Sequence, residues 1–174
     1  LFYFGKTTSD KPVVAPQMPA EEQSFDIQEF IKKEKAKLTS SQQNYLNQLE
    51  SNLDQNTYNL KKSASYTSIA NFWKDSVNQF EPYAYYISMA SKLDNSEKSL
   101  TFAAQLILEN LRGEQDPAKL TWESNEAISL FEKAIELNPS NDDLKIGLAS
   151  CFIYGKGRSG DPQQTMKGIQ ELLA

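Results

Sequence analysis

Histidine is absent from this 174-residue chain, and the absence removes a whole class of chemistry. Serine and cysteine nucleophile pairs and HExxH zinc sites all need an imidazole to move a proton near neutral pH or to hold the metal. Cysteine is nearly absent too. Cys151 stands alone in GLASCFIY, so no intramolecular disulfide and no thiolate metal site can form, and its apolar neighbours suit a buried, inert thiol. A single thiol leaves the redox compartment open. No complete membrane-spanning run occurs, and no segment alternates apolar and polar residues between turn signals, so strands are not expected. Cationic excess is lacking as well: the net charge is −5 and the pI about 4.9. That field repels phosphate backbones and anionic membrane surfaces, which argues against nucleic-acid binding.

What remains for an enzyme is a carboxylate pair in a cleft. Glu109, Glu114, Asp116, Glu123 and Glu126 are numerous enough, but their spacing does not separate a catalytic pair from a solvated acidic surface. The chain reads as noncatalytic. With 39% hydrophobic and 11% aromatic residues, it is long and apolar enough for one folded unit with a real core.

Residues 1–23 stand apart. LFYF is followed by a stretch bearing Pro12, Pro16 and Pro19, which forbids helix and suits a spacer. Two readings compete: the end of a membrane anchor with a linker, or an apolar tail docking on its own domain. The anchor reading is preferred and puts the domain in a bacterial envelope, outside the cytoplasm, as part of a longer protein with more helices after Ala174.

From residue 24 the pattern is helical. Ser24 or Asp26 caps a first helix with Ile27, Phe30, Ile31 and Leu38 at three- and four-residue steps. Thr39 or Ser40, with a glutamine three residues on, opens a second that carries Leu46, Leu49 and Leu53 and ends near Asn56. A third holds Tyr66, Ile69, Ala70, Trp73 and Val77, and a fourth starts at Glu81-Pro82 and reaches Leu93. The fifth spans 97–111, the most apolar of the set. Residues 112–124, with Gly113 and Pro117, read as a loop before a sixth helix to Leu137. Asn141 or Asp142 caps a seventh, and Asp161-Pro162 starts an eighth. The fold expected is all-α.

A spacing recurs in the C-terminal part. Ala127, Phe131, Ala134 and Pro139 stand at the intervals of the second helix of a tetratricopeptide repeat, and Leu148, Ala149 and Phe152 at those of its first helix. The chain resembles a tetratricopeptide-repeat protein. Weaker copies are carried by Ile87, Ala90 and Asn95, with Tyr83 where a small residue is usual, and by Gly168 and Leu172. From Asn95 to Pro139 is 44 residues where the repeat has about 34, so the middle unit carries an insertion in 112–124. The resemblance implies antiparallel helix pairs stacked as a short right-handed solenoid over about 63–95, 96–141 and 142–174, with helices of 24–62 as an N-terminal cap.

It also implies a function: a noncatalytic scaffold whose concave groove holds a protein or peptide, without cofactor or metal. Where relatives clamp a C-terminal carboxylate, this chain has Phe102 and Leu106, then Ile146 and Ser150, with Gln105 and Glu109 on the same helix as the first two. That lining suits an apolar helix or extended segment. Trp122 either staples the insertion to the domain or anchors a partner. Other readings stay open: homo-oligomerisation through the C-terminal helix, or assembly of an envelope complex. Phe72, Trp73, Phe80, Tyr83, Tyr85 and Tyr86 form either core or a stacking platform, and GKGRSG reads as an interhelix turn in preference to a phosphate loop, because glycine follows Gly155-Lys156 and no strand precedes it.

Overall fold

The computed structural model describes residues 24–55, 58–159 and 162–173. Among them are eight α-helices, one π-helix and one 3-10 turn, with no strand. Residues 1–23, the proposed anchor and linker, lie outside the described residues, as do the side chains of Leu172 and Leu173. No helix among the described residues is long and apolar enough to cross a membrane.

Capping chemistry sets most of the boundaries. Asp26 opens α1 (Ile27–Lys35) by accepting from the amides of Gln28 and Glu29, and lysines in the last turn complement the helix dipole. Thr39 and Gln42 exchange side-chain and backbone hydrogen bonds of 3.3 and 3.0 Å at the start of α2 (Ser40–Gln55), a reciprocal capping box. The third helix, α3 (Asn59–Phe72), runs into a π-helix, Trp73–Val77, instead of continuing as α-helix to Val77. Asn78 and Asn95, both left-handed, stop the π-helix and α4 (Phe80–Asp94); asparagine tolerates that conformation better than most side chains. Ser96 caps α5 (Glu97–Leu111), Asn141 caps α7 (Asp142–Tyr154), and Pro162 is the first residue of α8 (Pro162–Leu173).

One expectation is overturned. Residues 112–124 are not a long loop, because α6 spans Pro117–Leu137. Asp116 accepts from the amides of Ala118 and Lys119, and Pro117, whose missing N–H costs nothing in a first turn, starts the helix. The breaker is a helix start. Residues 117–124 belong to α6, and Trp122 lies on a helix.

Side-chain pairings give the directions of the helices. Ser63 near the start of α3 bonds the Ala90 carbonyl late in α4, and Tyr66 meets Tyr86 at 6.1 Å, so α3 and α4 are antiparallel. Asn110 with Glu123, and Glu97 with Asn138, make α5 and α6 antiparallel. Gly168 of α8 lies against Ala149 and Phe152 of α7, while Gly157, just past α7, faces Thr165. Alternate helices run parallel: Glu81 and Ser88 of α4 reach Lys119 and Glu126 of α6.

The core runs through these pairs. Ala127, Phe131 and Ala134 are fully buried, and a Cβ at Gly147 would come within 2.4 Å of the Phe131 ring. Phe72, Trp73, Tyr83 and Tyr86 are buried, with Phe80 and Tyr85 packed partly buried against them, which makes this aromatic set core. Ala134→Leu is therefore expected to overpack the α5–α7 region and destabilise the protein by about 1–3 kcal/mol, whereas Glu132→Ala, on the exposed side, changes stability by less than about 0.5 kcal/mol. Thermal melts of the two variants check this; equal effects would contradict the burial.

Candidate partner-binding face

Along α5, residues 98, 102, 105, 109 and 112 recur at three- and four-residue steps and all are exposed, so they form one stripe. Along α7, Asp143, Ile146, Ser150 and Tyr154 form a second. Two contacts bring the stripes together. At the N-terminal ends, the Asn141 amide donates to Glu97 at 2.7 Å. At the C-terminal ends, the Arg112 guanidinium stands 5.2 Å from the Tyr154 ring centre, a cation–π contact. The two helices are parallel neighbours.

Phe102 is 55% exposed and Ile146 52%. Gln105 and Glu109 point to solvent, and Leu106 is half-buried against the core. The Ser150 hydroxyl is occupied by the Ile146 carbonyl at 2.8 Å, so it adds little polarity to the face. Trp122 is elsewhere, on α6, with its ring 5.5 Å from that of Phe25. It joins the N-terminal helix to α6. A shallow cleft of about 420 Å³ opens along the N-terminal half of the α5 stripe, next to the cap of α7, lined by Glu97, Lys98, Thr101, Phe102, Gln105 and Asn141. Thr101 Oγ1 is buried and makes no hydrogen bond among the described residues.

The polar frame of this face was not anticipated from sequence. Glu97 accepts from Asn141 and, at 3.1 Å, from Asn138, which pins the Asn-Pro turn between α6 and α7 to the start of α5. Those two bonds, Asn141 first, hold the Glu97 carboxyl below its usual range. Arg158, in the 3-10 turn Lys156–Ser159, donates to the carbonyls of Leu111, Arg112 and Glu114 and so caps the C-terminus of α5. Residues 155–159 are thus a turn after α7 whose arginine serves the protein's own backbone.

Comparison with known family models, curated proteins and solved structures finds no match. The face is therefore read on its own geometry.

The acidic residues suspected from sequence separate on inspection. Glu109 is exposed, Asp116 is a helix cap, and Glu126 is bonded by Ser88 and Lys92. Glu123 is fully buried, accepting from Asn110 at 2.8 Å. They are not one solvated surface. Cys151 is buried, and burial pushes its thiol up to about 12, which keeps it protonated and unreactive at neutral pH.

A depressed carboxyl stabilises the fold above its unfolded-state pKa and loses that contribution as pH falls through the folded value. For Glu97 the amide proton of Asp143, whose hydrogen bond the Glu97-held Asn141 side chain accepts, should be protected at pH 7 and lose protection on acidification below the ordinary value of 4.5. In Glu97→Ala that protection should already be missing at pH 7. Hydrogen exchange read by NMR and corrected for intrinsic rates checks both; an unchanged Asp143 amide in the variant would contradict the pinning.

Proposed function

We propose that the α5–α7 face is a protein-binding groove and that the chain is a noncatalytic, tetratricopeptide-like scaffold. One observation carries the reading: two parallel helices, tied at both ends by polar contacts, leave Phe102 and Ile146 each more than half exposed on the surface between them. Large apolar side chains held outward on a rigid surface are a feature of partner-binding faces. The repeat-like stacking is supported by the parallel run of alternate helices, α4 with α6 and α5 with α7, and by Gly168 packing on Ala149, the small-on-small contact that the repeat resemblance implies. The occupant is a protein segment with apolar side chains, helical or extended, oriented by hydrogen bonds to Gln105 and Glu109. Attachment to a bacterial envelope through residues 1–23 belongs to the same proposal.

A second reading has its own observation. On α8, Met166 is 55% and Ile169 41% exposed, so self-association through that helix competes with partner capture. Light scattering after size exclusion separates the two, because a monomer at high concentration rules out obligate self-association.

Phe102→Ala and Ile146→Ala remove side chains that are mostly exposed. Each should lower partner retention roughly tenfold while the melting temperature stays within about 2 °C. Raised salt should barely alter capture, since few charges take part. The assay is retention of proteins from native membranes on the immobilised domain, variant against parent. Equal retention, or a large loss of stability in both variants, would overturn the groove assignment.

A further inference from the structure

Glu123 has no exposed surface. One carboxylate oxygen accepts from Asn110, and the other, Oε2, makes no hydrogen bond among the described residues. A buried carboxylate with an unsatisfied oxygen is costly when ionised. The charged groups acting on it are Glu81 from α4, Glu114 from the turn before α6, and Lys119 one turn earlier on α6 itself. Two are of like sign.

Lys119 already has two tasks. Its ammonium is bonded to Glu81, itself buried, and stands 5.2 Å from the centre of the Phe30 ring on α1. Next to Glu123 in sequence, Trp122 packs on Phe25, which packs on Phe30 at 5.3 Å. Helix α1 packs against α4, and its N-terminal end touches α6 through Trp122 and Lys119, which flank Glu123 in sequence. At its other end α1 is held separately, by Lys35 to Glu50 of α2 at 2.5 Å.

We propose that Glu123 is a proton-operated latch: while protonated it lets Lys119 and Trp122 hold the Phe25–Phe30 end of α1, and on losing its proton it draws Lys119 away and releases that end. The chemistry is one proton leaving Oε2 to water, with no covalent change. Burial, partly offset by the Asn110 bond and by the Lys119 charge and reinforced by Glu114 and Glu81, pushes the Glu123 carboxyl up to about 8. The sign follows from linkage. In the docked state the carboxyl holds its proton more tightly than the ordinary value of 4.5, so docking is favoured fully below that value and loses its advantage as pH rises through about 8. The latch is closed at neutral pH and opens in mild alkali.

The test is tryptophan emission of the full chain between pH 6 and 9.5, with Trp122→Phe measured in parallel so that the Trp73 signal can be subtracted. The Trp122 component should shift to the red with a midpoint near pH 8, while far-UV circular dichroism stays constant. Glu123→Gln should keep the low-pH emission throughout. Asn110→Ala, which removes the donor that favours the ionised form, should move the midpoint upward and serves if Glu123→Gln does not fold. A Trp122 signal flat across the range, a transition surviving in Glu123→Gln, or a midpoint that stays or falls in Asn110→Ala would each overturn the proposal.

Discussion

The contact between the Phe131 ring and the bare backbone of Gly147 fixes the distance between α6 and α7, because a single added Cβ would come within 2.4 Å of the ring. Much of the structure hangs on it. With α7 set against α6, Asn138 and Asn141 on either side of the Asn-Pro turn reach Glu97, and α7 comes to lie beside α5 in the same direction. The face carrying Phe102 and Ile146 follows from that placement. A larger residue at 147 would move α7 as a body, since a close-packed interior has no slack to absorb it.

Buried and half-buried polar groups do the complementary work of choosing which helices meet. Glu126 accepts from Ser88 and Lys92, Lys119 pairs with Glu81, and Asn110 reaches Glu123. All four bonds are made by three residues of α6. Such pairs give little net stability over apolar packing. Any other register of α4 or α5 on α6, however, would leave one of these groups buried and unpaired. We read them as devices that set alignment, and the latch at Glu123 as one place where alignment is only partly satisfied.

The fifth helix was legible in the sequence to its boundaries, because apolar residues at 100, 103, 104, 107, 108 and 111 keep one helical period, whereas its cap, Ser96, was seen only in the structure. The burial of Ala127 and Ala134 was legible from their spacing with Phe131, and that of Cys151 from its apolar neighbours. Pro117 misled: proline reads as a breaker unless the residue before it is recognised as a cap, and Asp116 decides the matter through two bonds visible only in three dimensions. The π-helix at Trp73–Val77 left no periodic signal, since five residues are too few to shift a pattern. Of the site, Phe102 and Ile146 came from repeat spacing. Their frame, Glu97 with Asn141 and Arg112 with Tyr154, joins residues more than forty positions apart, beyond the reach of local pattern. Trp122 carried two readings, and its contact with Phe25 favours the staple.

The central claim is that a partner sits on the surface between α5 and α7, and photo-crosslinking tests it most directly. A benzophenone side chain would be placed in turn at Phe102, at Ile146 and at Glu132, the last exposed on α6 and outside both stripes. After irradiation in native membranes, positions 102 and 146 should yield the same discrete adduct and position 132 none. An adduct from 132 alone, or different adducts from 102 and 146, would contradict the account.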